Sequence, residues 1–224
     1  MIAENTRALL KELETGNPFG EKITLVAATK TRTPEEINEA IRAGICDVGE
    51  NKVQEFRDKY DLVSGGNRHF IGHLQTNKVK YLIGKTYLYH SVDRDELAKE
   101  IATRSARAGI LSDVLIQINI GNEESKGGYP LEEGFEAYER LGGTEGLRVR
   151  GFMAMLPLSP DESMLCGLCD KMRALYERAK SADGNISFLS MGMSGDWRLC
   201  VSRGANMIRL GTAIFGERNY GAQA

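Results

Sequence analysis

Lys30 closes the run ITLVAATK, an apolar, β-rich segment, and its type and place make it the first residue of the chain that suggests chemistry. An amine held against an apolar wall has its charged form disfavoured and becomes a nucleophile toward carbonyl carbon. The other reading is a lysine whose stem covers the strand end while its ammonium reaches water. Two later turns add a second kind of chemistry. SMGMSGDW carries Gly192, Ser194 and Gly195 ahead of a short helix, and RLGTAIFGE carries Gly211 and Thr212. Glycine lets a ligand approach the backbone, a hydroxyl donates, and a helix start presents amides, which together suit a phosphate. Either turn alone is explained by tight strand-to-helix geometry; their recurrence in the last two units favours a phosphate site.

Other polar residues carry weaker signals. His69 and His73 are four apart, but no HExxH or carboxylate partner accompanies them, so they read as structural or surface histidines. Cys166 and Cys169 form a CxxC within DESMLCGLCDKMRALYERAK, where Leu165, Leu168, Met172 and Leu175 recur at helical spacing. Two thiols on a helical face explain the pattern without a metal, and with Cys46 and Cys200 they are expected to be reduced.

The elements that must position these residues alternate regularly. A helix is expected over residues 2 to 14, then a strand over Ile23 to Lys30, then a helix announced by Thr33 as N-cap, Pro34 at the first position and Glu36 three on. The same order returns in ICDVGEN with VQEFRDKYDLV, in RHFIGHLQ with TNKVKYLIG, and in YLYHSV with a helix from about Asp93 to Ala108. The second half supplies DVLIQINIG with LEEGFEAYERLG, LRVRGFMAML with the cysteine-bearing helix, ISFLSMGM with a short helix around Asp196 to Arg203, and finally NMIRLGTAIFGE. About eight strands at intervals of roughly 25 residues predict a single α/β domain over residues 1–224, a (β/α)8 TIM barrel. The alternative is an open doubly wound sheet, but neither GxGxxG nor GxxxxGK[ST] is present. In a barrel, ligand chemistry gathers where strands end, which is where Lys30, Ser194, Gly211 and Thr212 fall.

Composition narrows the function classes. The 224 residues are 42% hydrophobic and 27% charged, with 29 Lys and Arg against 31 Asp and Glu, a net charge of -2. That balance argues against an extended nucleic-acid surface. The apolar runs are too short to cross a bilayer, and the first residues lack the apolar block of a secretion signal, so a cytoplasmic protein is expected.

In sequence order, VAATKTRTPEEI, DVGENKVQE, HFIGHLQTNK, INIGNEESKGG, GFMAM and SMGMSGDW through IRLGTAIFGER resemble the pyridoxal phosphate homeostasis family, also called the YggS or PROSC family. The resemblance spans nearly the whole chain. It implies a barrel similar to the amino-terminal domain of alanine racemase, of fold type III, holding pyridoxal 5'-phosphate (PLP) and acting in its intracellular buffering and supply. By the same resemblance, Lys30 forms the internal aldimine, and Ser194, Gly211 and Thr212 hold the phosphate. Arg209 faces the pyridine nitrogen, where a permanently charged guanidinium disfavours ring protonation and restrains carbanion chemistry. Asn51 lies beside the cofactor and Met155 packs on the ring, although Asn51 also suits a helix cap near Lys52 and Met155 suits barrel core. Lys126 falls where the racemases carry an arginine near the phenolic oxygen. The stretch RLCVSRGAN departs from the family, placing Arg198, Ala205 and Asn206 where an acidic residue and a GST segment are usual.

The resemblance implies a carrier without robust catalysis, since the racemases take a second base from a tyrosine in an additional domain that a chain ending at Ala224 does not supply. Transient contact with PLP-dependent apoenzymes and a monomeric state accompany that reading. A PLP-dependent amino-acid racemase is the alternative, followed by an unrelated barrel enzyme acting on a small phosphorylated substrate.

Overall fold

The computed structural model describes residues 1–123, 126–159 and 161–217; Arg218, the last residue of the final motif, lies outside them. After helix α1 (Ile2–Leu13) the chain lays down β1 (Thr24–Ala28), α2 (Pro34–Arg42), β2 (Asp47–Glu50), α3 (Val53–Lys59), β3 (Asn67–Phe70), β4 (Leu88–Val92) and α4 (Asp95–Arg107). It continues with β5 (Ser112–Ile118), α5 (Gly134–Gly142), β6 (Leu147–Ala154), α6 (Glu162–Ala182), β7 (Phe188–Ser190), α7 (Trp197–Ser202), β8 (Met207–Leu210) and α8 (Thr212–Phe215). All eight strands pair in parallel in chain order, and β8 returns to β1 with Leu25 opposite Ile208 and Val26 opposite Arg209. The expected (β/α)8 barrel is the observed one, and the open sheet is not.

Local chemistry explains the elements. Thr33 Oγ1 accepts from the Glu36 amide (3.3 Å) while the Glu36 carboxylate accepts from the Thr33 amide (2.8 Å), so the capping box foreseen at α2 is complete. Strands such as LYHSV are buried along their whole length because helices cover one face and the barrel interior the other. Val26, Leu88, Leu115, Met153 and Met207 fill the interior, and larger apolar clusters lie between barrel and helices. One expected helix differs. TNKVKYLIG forms a 3-10 helix over Thr76–Tyr81, uncapped by Gln75 and with only Val79 within it buried. Among the described residues, no helix is long and apolar enough to cross a membrane.

An ionic cluster ties the chain entering β1 to α6. Glu21 Oε2 accepts from Arg173 (2.6 Å) and Asn17 (3.0 Å), and its Oε1 accepts from Lys180 (2.6 Å) and the Tyr176 hydroxyl (3.2 Å). Burial alone would raise the Glu21 carboxyl, but the bonds from Arg173, Lys180 and Asn17 outweigh it and bring it down to about 2. A carboxyl depressed in the fold contributes stability above its ordinary value near 4.5, lost as pH falls toward 2. Glu21→Gln is therefore expected to lose about 1–3 kcal/mol at pH 7 relative to the parent chain. In urea unfolding curves this gap narrows between pH 4.5 and 2.

Candidate functional site

Lys30 sits two residues beyond β1, and the backbone on both sides of it is fixed by one ammonium. Lys59 Nζ, on α3, donates to the Thr29 carbonyl (3.0 Å), Glu50 Oε1 (2.8 Å) and Glu55 Oε2 (2.8 Å), using all three of its hydrogens. Thr29 Oγ1 adds a bond to Glu50 (2.7 Å), and Glu55 Oε2 also accepts from the Thr31 amide (2.8 Å). Thr31 has φ +66°, a left-handed conformation uncommon for a β-branched residue, and that amide bond holds it there. Burial raises the Glu50 carboxyl above its ordinary value despite Lys59 and Thr29. Glu55 moves the other way, because bonds from Lys59 and the Thr31 amide outweigh its burial.

A cavity of about 340 Å³ opens over Lys30, within the range of roughly 300–1,000 Å³ common for small-molecule sites. Lys30, Asn51, Met155, Ser194, Arg209, Gly211 and Thr212, all singled out from the sequence, line it together. Gly211 lies against the end of β1, where an added Cβ would stand 3.3 Å from the Ala28 carbonyl. On the other turn Gly192 adopts φ +106°, and a Cβ there would stand 2.9 Å from the Trp197 backbone. Asp196 then orders the loop by accepting from the Met193 amide (2.6 Å).

Arg209 is almost wholly buried, with Nη1 donating to the Ser190 hydroxyl (2.6 Å) and carbonyl (3.0 Å) and Nη2 to the Ala154 carbonyl (3.1 Å). Burial lowers its pKa to about 10, which leaves it a cation at neutral pH. Asn51 does not cap α3, whose N-cap is Lys52 without a side-chain bond. Its Oδ1 is instead buried with no hydrogen-bond partner in the protein. Gly72 lets the chain pass this close, since a Cβ there would fall 2.1 Å from the Asn51 carbonyl oxygen. Met155 lines the cavity and packs on the interior cluster.

The remaining candidates lie elsewhere. Lys126 does not line this cavity; its amine donates to Glu123 (2.6 Å) and the Leu156 carbonyl (3.3 Å). His69 is buried inside the barrel, whereas His73 is largely exposed and bonds Asp93 (3.0 Å). The thiols are free, and Cys169 faces Cys200 across α6 and α7 rather than Cys166. Among the described residues, no group of three or more His, Cys, Asp or Glu could hold a metal ion. The divergent positions are structural. Arg198 pairs with Glu12 of α1 (2.8 Å) and lies over Trp197, Ala205 is buried, and Asn206 bonds Leu189, Ser187 and Tyr176.

Sequence reasoning missed Arg32, which also lines the cavity and is held by the Gly216 carbonyl (2.6 Å) and Glu36 (3.4 Å). Its place two residues after Lys30 was the available signal. Sequence reasoning also missed His90 and Ser190, hidden in apolar strands.

The alanine racemase amino-terminal domain family matches residues 2–219. The pyridoxal phosphate homeostasis protein of Aquifex aeolicus is 42% identical over 199 residues, covering 88% of this chain and 87% of that protein. This chain belongs to the pyridoxal phosphate homeostasis protein family. The family member of Escherichia coli is 37% identical over 205 residues, with 89% and 88% covered. Among solved structures, PipY of Synechococcus elongatus, a protein also solved with PLP bound, superposes with a TM-score of 0.84 in that form. It is 28% identical, with 96% of this chain and 100% of PipY covered. Alanine racemase of Corynebacterium glutamicum shares the fold, with a TM-score of 0.78 at 16% identity over 97% of this chain and 61% of the racemase.

The ionic lattice makes a testable demand. Lys59→Met leaves the buried Glu50 carboxylate without its cation and is expected to destabilise the protein by about 3 kcal/mol in urea unfolding. The double variant Lys59→Met with Glu50→Leu recovers part of that loss, because the most deeply buried carboxylate is gone and only the more exposed Glu55, still bonded to the Thr31 amide, is left without its cation.

Proposed function

We propose that this chain binds PLP in the cavity over Lys30, covalently through the Lys30 amine, and serves the intracellular buffering and supply of the cofactor as one barrel domain. PLP supplies an aldehyde that condenses reversibly with a primary amine. The observation that carries this reading is the convergence of Lys30, Arg209 and the Ser194, Gly211 and Thr212 turns on one small cavity. Family membership and the PLP-bound PipY relative support it.

The residues present fit the group. Asn51 Oδ1, buried without a partner, is an acceptor that a bound ligand satisfies. Gly211 lets its turn lie close against the Ala28 carbonyl, and a phosphate would meet the amides that open α8 with the Ser194 and Thr212 hydroxyls donating beside it. Arg209, fixed by three oxygens, keeps its positive charge toward the ring nitrogen and so withholds a proton from it. Met155 packs on the ring. Lys30, Arg32 and Arg209 are the titratable groups lining the cavity among the described residues, and they suit retention of an anionic aldehyde. Racemisation would require a second acid–base group on the opposite ring face. We place the protein's partners among PLP-dependent apoenzymes contacted transiently by a monomer.

Borohydride reduction of PLP-loaded protein followed by mass spectrometry is expected to find a pyridoxyl adduct on Lys30, and Lys30→Ala to lose the near-ultraviolet band. An adduct on another lysine, or the same band at the same affinity in Lys30→Ala, overturns the assignment. Ser194→Ala combined with Thr212→Ala is expected to weaken PLP binding about 10-fold or more in equilibrium titration, while pyridoxal lacking the phosphate loses little.

A further inference from the structure

Barrel interiors are usually packed with branched apolar side chains, and here Val26, Leu88, Leu115, Met153 and Met207 supply them. Through this packing runs an unbroken file of polar groups. Asp47 Oδ1 meets His69 Nε2 at 2.9 Å, His69 Nδ1 meets His90 Nε2 at 2.8 Å, His90 Nδ1 meets Ser190 Oγ at 3.2 Å, and Ser190 Oγ meets Arg209 Nη1 at 2.6 Å. The file begins at the first residue of β2, crosses β3, β4 and β7, and ends on β8 at the wall of the cavity. His69, His90 and Ser190 are completely buried.

Its ends fix the direction of every hydrogen. Arg209 only donates, so Ser190 Oγ accepts from it. The Asp47 carboxylate only accepts, so with both rings neutral His69 donates from Nε2, His69 Nδ1 accepts from His90 Nε2, and the bare His90 Nδ1 takes the Ser190 hydrogen. The carboxylate suits this end. Bonds from His69 and Asn67 outweigh the burial of Asp47 and hold it below the ordinary carboxyl value. Burial, reinforced by the positive charge of Arg209, disfavours a second proton on His90. Reversing the file with both rings neutral would set the bare Nε2 of His69 against a carboxylate. A file with each bond made once bears no unsatisfied polar group, but apolar side chains of similar shape would serve stability about as well.

We propose that Asp47, His69, His90 and Ser190 are positioning residues for Arg209, a one-directional hydrogen-bond file that fixes the orientation of the guanidinium facing the bound ring. This rests on the reading of Arg209 given above. A guanidinium turned by Ser190 and the Ala154 carbonyl presents a defined edge to the cavity, and losing Ser190's partner frees that hydroxyl to rotate.

The chain has three histidines, so long-range proton–nitrogen spectra of the histidine-labelled protein without cofactor resolve each ring, His73→Gln removing the exposed one. The expected result is neutral His69 and His90, both protonated on Nε2. His90 protonated on Nδ1, or a doubly protonated His69 at neutral pH, overturns the file's direction. In PLP titrations, His90→Leu is expected to weaken binding about fivefold or more and to shift the absorption band. His90→Gln, whose amide oxygen accepts from Ser190 and whose NH₂ donates to His69, is expected to stay within about twofold of the parent. Ser190→Ala serves as a second truncation if His90→Leu does not fold. Truncations that match the parent, or a Gln variant as impaired as Leu, overturn the positioning role. Failure of the parent chain to take up PLP overturns the cavity reading instead, while the apo-protein spectra still decide the file.

Discussion

A parallel sheet left open ends in two rows of unpaired amides and carbonyls, and the pairing of Thr24 through Ala27 with Met207 through Leu210 removes both. That seam also decides what the protein can bind. Lys30 follows one of these strands and Gly211 and Thr212 follow the other, so residues some 180 positions apart in sequence become walls of one cavity. Without closure, the amine and the glycine-bearing turns would share nothing but chain order.

Each wall is then stiffened by a different kind of bond. On the Lys30 side, a single ammonium holds a carbonyl and two carboxylates, and the strained Thr31 survives because its amide is pinned. On the turn side, backbone shape does the positioning, with Gly192 permitting an approach that a side chain would block and Gly211 lying close against Ala28. Arg209 joins the two from within the barrel, where its charge is held by neutral oxygens of β6 and β7 rather than by a carboxylate. A guanidinium bonded to neutral oxygens keeps more of its field for whatever lies in front of it than one paired directly with a carboxylate.

The alternation of strands and helices was readable because each element carries its own periodicity and punctuation, as Thr33, Pro34 and Glu36 do at α2. Lys30 and the two glycine turns were readable because barrel chemistry gathers at strand ends. His90 and Ser190 were not, since YLYHSV and ISFLS look like ordinary buried strands until the register places β4 beside β3 and the barrel interior joins β4 to β7. Arg32 was passed over for a related reason. Its guanidinium reaches the cavity wall only because the Gly216 carbonyl, distant in sequence, anchors it. The 3-10 turn at Thr76–Tyr81 shows the same limit, as helical periodicity in the sequence does not distinguish a 3-10 turn from a short α-helix.

The turns around Ser194 and Thr212 bear on ionic strength. Surface lysine clusters hold anions by long-range attraction, which dissolved salt screens within about 8 Å under physiological conditions. Backbone amides and hydroxyls act at contact distance, with direction set by φ and ψ, and their attraction is largely spent before screening begins. An anion seated between these turns would thus be selected there by the tetrahedral spread of its oxygens, and salt would weaken only the share of its hold that comes from Lys30, Arg32 and Arg209 in the same cavity.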